Sequence, residues 1–184
     1  MRLLNFFIAG LVFLCVACDN PIPRAPINKR VKTDYSLQIK QSKLLYKLQD
    51  KAFRQYIKEN PDKHFKSSQK GFWYAIIKEN KKSNYYPKLG DEILFNYEIT
   101  DLENNIIYSK KTVGLQKYKV DKEEIISGLQ QGLKFMKEGE TAMFLMPSFK
   151  AFGVLGDRNK IKTNQPLIYT VYLKKLIIHK NNKK

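Results

Sequence analysis

The side chains that most often perform catalysis are few in this sequence of 184 residues. Its two cysteines, Cys15 and Cys18, lie near the N-terminus, whereas its two histidines, His64 and His179, are far apart in the chain. Neither residue type forms a cluster of the kind that thiol, acid–base or zinc catalysis needs. The sequence therefore predicts no metal and no cofactor.

A candidate for binding is the stretch 139–156, GETAMFLMPSFKAFGVLG. Its apolar run ends at Pro147, which removes a backbone donor and favours the end of a strand. Phe149 and Phe152 follow on glycine-punctuated backbone, where large rings either plug a core or line a pocket. Both interpretations remain open from this stretch alone, and the neighbouring segments favour the pocket.

Several segments have the β-branched and aromatic residues that are typical of strands. In one of them, Phe95, Tyr97 and Ile99 share a face because strand side chains alternate between the two faces of a sheet. A polar turn at 101–105 joins this strand to the strand 106–108 as a hairpin. The predicted strands cover 71–77, 90–99, 106–108, 118–120, 142–146 and 166–176.

One helix is predicted between the strands, beginning at Asp121 or Lys122 and ending at Gly139. Glu123 and Glu124 suit its positively polarised start, and we interpret them in that way rather than as a catalytic acid pair. Two glycines four residues apart allow close approach of a sheet. The apolar face of this helix comprises Ile125, Ile126, Leu129, Leu133 and Met136. The body is therefore predicted to be α+β, an antiparallel sheet crossed by one short helix.

Three segments together resemble the FKBP-type peptidyl-prolyl cis-trans isomerases, over about residues 71–178. The segments are GDEILFNYEI, EEIISGLQQGLKFMKEGETAMFLMPSFKAFGVLG and PLIYTVYLKKL. The resemblance implies a bent antiparallel sheet wrapped around a short helix, with an apolar pocket between them. It also implies an enzyme that isomerises X-Pro bonds in proline-containing client polypeptides without a cofactor.

The resemblance also implies which residues form the site. Tyr97, Ile126 and Phe152 take the catalytic positions, with the backbone of Ile126 as the donor that orients the substrate carbonyl. Phe152 replaces the usual Tyr, whose hydroxyl reaches a ligand carbonyl. The remaining substrate-pocket positions are Ile107, Tyr108, Ile125, Leu129, Ile161 and Tyr169.

Some of these positions depart from the family pattern. Ile107 stands where a Phe is usual, Tyr108 where an Asp is usual, and Leu129 where many members have Trp. A further pocket aromatic of the family aligns near Gln116. The pocket is therefore expected to be apolar, with few polar groups to orient a substrate. The alternative function is that of a catalytically weak or inactive FKBP-like chaperone or scaffold.

The N-terminus predicts export and lipidation. Arg2 precedes an apolar run that ends at Cys18, and residues 1–17 resemble a bacterial lipoprotein signal peptide despite Cys15 in place of the preferred Leu. Cys18 is then the lipidated residue that attaches the protein to a membrane. An ordinary cleaved signal or an uncleaved anchor is the alternative. We expect a location in the bacterial cell envelope, facing the periplasm.

The segments outside the isomerase-like domain, 71–178, also have predicted roles. Residues 18–35 contain several prolines and no apolar periodicity, so they are expected to form an extended tether. Residues 36–60 have helical periodicity, and this helix either packs on the following domain or serves as a dimer or partner contact. Residues 179–184 are a basic tail. The whole layout resembles the gliding-motility-associated isomerase lipoproteins of gliding bacteria.

The charge of the chain is strongly positive, with 34 Lys and Arg against 17 Asp and Glu and a formal net charge of +17. Such an excess is compatible with nucleic acid or an anionic membrane surface. The basic residues are, however, spread along the chain without an arginine-rich stripe or a nucleic-acid motif. We therefore expect a solvated basic surface and no nucleic-acid partner.

Overall fold

The computed structural model describes residues 35–179. The predicted signal peptide, the lipidated Cys18, nearly all of the tether and residues 180–184 of the tail lie outside this range. Apart from Tyr35, the described residues belong to one compact unit. No helix in this part of the chain is long and apolar enough to cross a membrane.

The strands of the described residues form one antiparallel sheet. Their order is β1-β2-β6-β7-β3-β4, and β5 pairs with the first half of β3 beside β4. The longest strands, β3 and β7, pair along nearly their whole length and form the centre of the sheet. The strands are β1 (Lys66–Ser67), β2 (Trp73–Lys78), β3 (Glu92–Thr100), β4 (Ile106–Tyr108), β5 (Gln116–Lys119), β6 (Thr141–Met146) and β7 (Leu167–Ile177).

Helices lie on both faces of this sheet. The α-helices are α1 (Tyr35–Glu59), α2 (Lys110–Val113) and α3 (Ser127–Gly132). Short 3-10 turns cover Pro61–Lys63, Leu133–Phe135, Ser148–Lys150 and Gly153–Leu155. The predicted α+β arrangement of an antiparallel sheet, one crossing helix and an N-terminal helix is confirmed.

The inner face of the sheet, which α3 covers, holds the main core. Alternate residues of each strand point to this face, and cross-strand partners therefore lie side by side on it. One such row runs from Tyr108 through Ile99 and Tyr169 to Phe144. Leu129 and Leu133 pack against the sheet from the opposite side and are buried with it.

Two glycines let α3 approach the sheet closely. A Cβ atom at Gly128 would lie 2.4 Å from Sδ of Met146 and 2.8 Å from the backbone oxygen of Lys150. A Cβ atom at Gly132 would lie 2.9 Å from the ring of Phe144. Real Cβ atoms essentially never come within 3.0 Å of other heavy atoms, so only glycine fits here without a shift. The predicted close approach is confirmed.

The outer face of the sheet is covered by the second half of α1. Phe53 and Tyr56 are buried there against Leu145 and Ile168. The first half of the helix leaves several large apolar side chains exposed. These are Leu37, Ile39, Leu44 and Leu48. The predicted packing of this helix on its own domain is thus observed, while the dimer or partner contact stays a prediction.

The crossing helix is much shorter than the sequence predicted. It was expected to begin at Asp121 or Lys122 and to end at Gly139, but α3 covers only Ser127–Gly132 and a 3-10 turn follows it. Asp121 has a positive φ of 54°, which α-helical backbone does not allow. The carboxylate of Glu123 accepts a hydrogen bond from the backbone N–H of Lys119 instead of lying at a helix start.

The strands differ from the predicted ones by at most two residues at their ends, and β4 has the predicted bounds. Two elements were not predicted at all, β1 and the single-turn helix α2. The hydroxyl of Ser109 caps α2 by accepting a hydrogen bond from the N–H of Thr112, at 3.2 Å. Gly114, at φ 73°, ends the turn. Thr112 and Val113 of this turn line a cavity on the inner face of the sheet.

Candidate active site

A cavity of about 310 Å³ opens on the inner face of the sheet. Three of its lining residues, Tyr97, Tyr108 and Phe152, were predicted as site residues. The others are Ile99, Thr112, Val113, Gln116 and Asp157. Rings and aliphatic groups form about half of its wall, and a carboxylate, an amide and hydroxyls form the rest.

Five separate elements bring these side chains together. β3 supplies Tyr97 and Ile99 from the inner face, and β4 places Tyr108 beside Ile99. The capped turn α2 and the strand β5 form the next wall, where Gln116 donates from its side chain to the carbonyl of Val113 at 2.8 Å. The loop after β6 supplies the last wall. Its two 3-10 turns flank Phe152, and Asp157 follows them.

The other predicted pocket residues are placed around the cavity rather than among its lining residues. Leu129, Ile161 and Tyr169 are buried in the core that the cavity adjoins. Ile107, Ile125 and Ile126 are partly buried and pack against the same core. The structure thus brings all nine predicted positions into one apolar cluster, with three of them facing the open volume.

The backbone at Ile126 has the geometry of an available donor. Ile126 precedes the first turn of α3, with φ −49° and ψ 127°, and its carbonyl accepts the N–H of Gln130 at 2.9 Å. Among the described residues, its own N–H has no hydrogen-bond acceptor. This geometry is compatible with the donor role that the family resemblance implies for Ile126, which stays a prediction.

A hydrogen-bonded pair, the hydroxyl of Tyr108 and the carboxylate of Asp157, forms part of one wall of the cavity. The hydroxyl of Tyr108 donates to one carboxylate oxygen of Asp157, and the side-chain amide of Asn159 donates to the same hydroxyl at 3.2 Å. The other carboxylate oxygen of Asp157 accepts the backbone N–H groups of Asn159 and Ile161, each at 2.8 Å. The pair thereby joins β4 to the loop that follows Phe152.

These contacts set the ionisation of the pair. Burial alone would raise the pKa of Asp157, but the hydrogen bonds from Tyr108, Asn159 and Ile161 outweigh burial and hold this pKa below its usual value. The bond to Asp157, followed by burial, raises the pKa of the Tyr108 hydroxyl. At neutral pH the wall therefore holds a carboxylate with a protonated phenol beside it.

The comparison with protein families now decides the identity of the fold. Residues 83–174, half of the chain, match the model of the FKBP-type peptidyl-prolyl cis-trans isomerase domain. The chain belongs to this family. The match lies inside the predicted domain 71–178, and the resemblance found in the sequence is confirmed.

Individual proteins agree with the family assignment. The chain is similar to a probable FKBP-type peptidyl-prolyl cis-trans isomerase, FkpA, of Neisseria meningitidis, with 29% identity over 122 residues. That alignment covers 66% of this chain but only 44% of the relative, so the chain spans less than half the length of this curated protein.

Two solved structures show the same fold. FkpA from Escherichia coli has a TM-score of 0.58 at 24% identity, covering 78% of this chain and 66% of that one. A peptidyl-prolyl cis-trans isomerase from Pseudomonas syringae has a TM-score of 0.56 at 19% identity, covering 74% and 96%. At these identities the likeness concerns the fold alone, which is an FKBP fold.

Asp157 is the residue of this FKBP site that sequence reasoning missed. The family pattern places its Asp at the position of Tyr108, so the resemblance gives no indication of a carboxylate at position 157. The available signal was charge, because Asp157 is the single acidic residue after Glu140 in a strongly basic chain. The cavity is therefore more polar than the sequence predicted, because the loop after β6 supplies a carboxylate.

The rings around the cavity form a connected group. The Tyr97 ring stacks near that of Phe95 at 5.9 Å between centroids and tilts against that of Tyr169 at 5.6 Å. Burial raises the pKa of the Tyr97 hydroxyl above its usual value. No group of three or more His, Cys, Asp or Glu side chains within residues 35–179 is arranged to hold a metal ion.

Proposed function

We propose that this FKBP-family chain is an active peptidyl-prolyl cis-trans isomerase whose substrates are proline-containing client polypeptides. The cavity of Tyr97, Tyr108 and Phe152 is the observation that supports this function, because it offers an aromatic cup of a size that suits a prolyl ring. The chain covers less than half of its curated relative. The support for the activity is therefore the cavity of this chain.

An apolar cup can catalyse this reaction without a reactive side chain. The barrier to X-Pro rotation, about 20 kcal/mol, reflects the amide resonance that is lost when the bond twists. The twisted amide has less charge separation than the planar one, so it tolerates an apolar site better. A site that binds the twisted form more tightly than the planar form lowers the barrier.

The named residues have distinct roles in this scheme. The rings of Tyr97 and Phe152 hold the prolyl ring and exclude water from the amide. The N–H of Ile126 binds a substrate carbonyl and so fixes one side of the bond about which rotation occurs. The wall formed by Tyr108 and Asp157 keeps the loop that bears Phe152 in place.

The test is a proline-limited refolding or peptide isomerisation assay on the full-length chain in detergent. We expect acceleration by the wild-type chain and its loss in the double variant Tyr97→Ala, Phe152→Ala. The matched control is Tyr35→Ala, Tyr86→Ala, which removes two exposed aromatic side chains elsewhere. A folded wild-type chain that accelerates no peptide in a varied set would refute the enzyme.

The second candidate function is that of a non-catalytic chaperone or scaffold. A largely apolar groove of about 320 Å³ between α1 and the loop after β6 favours it. Leu45, Tyr46, Phe149 and Val154 are among its lining residues, and Phe149 and Val154 are more than half exposed. Suppression of client aggregation without isomerisation in the assay above would support this function instead.

We further propose that lipidated Cys18 attaches the protein to a membrane of the bacterial envelope, with the domain facing the periplasm. The support is the sequence alone, an apolar run that ends at this cysteine. In a Cys18→Ser variant the protein should move from the membrane fraction to the soluble fraction, and retention in the membrane would contradict the proposal. The likeness of the layout to gliding-motility lipoproteins favours motility components as clients.

A further inference from the structure

The hydroxyl of Tyr169 is a buried polar group without a partner. The Tyr169 side chain has no exposed surface, and its oxygen makes no hydrogen bond within the described part of the chain. Leaving a buried hydroxyl unpaired costs roughly 1–3 kcal/mol, and buried tyrosines usually find a partner. Tyr118 is equally buried, yet its hydroxyl accepts the backbone N–H of Asp121 at 3.0 Å.

The position of Tyr169 places this hydroxyl beside the cavity. In the sheet Tyr169 is the direct cross-strand partner of Ile99, which lines the cavity, and its ring lies 5.6 Å from that of Tyr97. Burial, and after it the nearby charges of Tyr97 and Asp157, raise the pKa of the Tyr169 hydroxyl well above its usual value. The oxygen therefore lies close to two cavity residues, and it remains a protonated donor at neutral pH.

Tyr97 both lines the cavity and packs against the ring of Tyr169. Tyr97 is only partly buried, and its hydroxyl makes no hydrogen bond to any described residue. Nothing but ring contacts therefore fixes Tyr97, and rotamer changes of this kind are common when a ligand binds. For the Tyr169 oxygen to meet an acceptor on the substrate, the Tyr97 ring has to turn.

We propose that the hydroxyl of Tyr169 donates a hydrogen bond to a carbonyl oxygen of the bound proline-containing segment. This assignment rests on the proposed isomerase function and adds its polar recognition group. Phe152 lacks the hydroxyl that other members use at its position, and Tyr169 supplies one from the neighbouring strand. The bond pairs a buried donor that has no partner among the described residues, so it contributes a net hydrogen bond to binding. No covalent bond forms or breaks, and the phenol keeps its proton.

The test compares Tyr169→Phe with the wild type in the full-length chain in detergent. Three quantities are measured: kcat/KM for a proline peptide, the Kd of that peptide and the melting temperature. We expect kcat/KM to fall roughly three- to tenfold and Kd to rise by a similar factor, which is what one net hydrogen bond is worth. The melting temperature should stay or rise, because the variant removes an unpaired buried hydroxyl.

Two further variants separate recognition from structure. Tyr118→Phe removes a hydroxyl that is equally buried but already paired, so the melting temperature should fall while kcat/KM for the folded protein stays. Adding Phe152→Tyr to Tyr169→Phe returns a hydroxyl to the opposite wall and should restore much of the lost kcat/KM. A purely structural role for Tyr169 would not produce this rescue.

Each outcome distinguishes the two proposals. Unchanged kcat/KM and Kd in Tyr169→Phe overturn the role of the hydroxyl and leave the isomerase intact. The same conclusion follows if kcat/KM falls only because the melting temperature of the variant is lower. A wild type that binds the peptide without turnover, with weaker binding in Tyr169→Phe, supports the hydroxyl and refutes the isomerase. A wild type that neither binds nor isomerises any proline peptide overturns both.

Discussion

The inner face of the sheet and the part of the outer face beneath α1 both bury apolar side chains, but the hydrogen bonding of their polar atoms differs. Beneath α1, on the outer face, the polar atoms at the edges of the packed side chains are paired. The hydroxyl of Tyr56 donates to Asn104 at 3.0 Å, and the indole N–H of Trp73 donates to Asp50 at 2.9 Å. The buried amide of Gln49 bonds both the side chain and the backbone of the loop after β6.

On the inner face the same kind of rings surround an open volume. There Tyr169 and the N–H of Ile126 have no acceptor among the described residues. Paired polar atoms around dense packing are typical of an interface that only has to be stable. Unpaired donors beside a cavity are typical of a surface that awaits a ligand. The contrast concerns the part of the outer face that α1 covers, because the buried side-chain oxygen of Asn96, on the outer face of β3, also has no partner among the described residues. Beneath α1 the hydrogen-bond pairing is that of a structural interface, and the inner face has the features of a binding surface.

The largest expected effect is on the outer face. Phe53 is 1% exposed beneath α1, so Phe53→Ala should lower the free energy of unfolding by about 3–5 kcal/mol. Turnover per folded molecule should not change, because this ring lies on the face opposite the cavity. Leu44→Ala on the exposed half of the same helix is the control and should leave stability unchanged. Chemical denaturation measures both, and a loss of turnover in folded Phe53→Ala would break the division between the faces.

A smaller effect is expected where α3 meets the inner face. Gly128→Ala places a Cβ atom against Met146 and the carbonyl of Lys150, so stability should fall by about 1–3 kcal/mol. Because the helix must shift, the adjacent N–H of Ile126 moves as well, and kcat/KM should fall with stability. Ser127→Ala, an exposed change in the same turn, should affect neither. Denaturation and the isomerisation assay together test this, and unaltered kcat/KM would show that the donor tolerates the shift.

The smallest effect is expected from the wall of the cavity. Asp157→Asn removes the charge that holds Tyr108, so KM should rise roughly threefold with kcat nearly unchanged, as for lost ground-state binding. The folded-state pKa of Asp157 is lowered, so its stabilising effect is complete above the unfolded pKa of about 3.9. That effect is lost as the pH falls through the folded-state pKa.

The difference in stability between wild type and Asp157→Asn should therefore be constant from about pH 5 to pH 9 and should shrink below about pH 4. Asp101→Asn is the matched control, because Asp101 also accepts two backbone N–H groups but lies in the β3–β4 turn. This control should change stability without changing KM. An equal rise in KM in both variants would remove Asp157 from the site.

Apolar periodicity in the sequence predicted the elements that pack one face against the core. The strands containing Tyr97 and Tyr169 alternate as predicted. The helix that ends near residue 60 packs through only part of its predicted apolar stripe, with Phe53 and Tyr56 buried and Leu37, Leu44 and Leu48 exposed. The crossing helix was predicted too long, because its apolar spacing continues through residues that adopt other backbone. Asp121 at positive φ and the 3-10 turn after Gly132 depend on contacts with the sheet, which periodicity does not report.

The sequence by itself determined the family, the sheet, the glycines beneath α3 and most of the aromatic positions around the cavity. Those features follow from local residue pattern and from the apolar spacing of single elements. Only the tertiary structure decided which polar groups meet at the cavity. Asp157 and Tyr108 are distant in the chain, and the isolation of the Tyr169 hydroxyl depends on what surrounds it from several strands. Hydrogen-bond pairing is a property of neighbours in space, and the order of residues along the chain does not specify it.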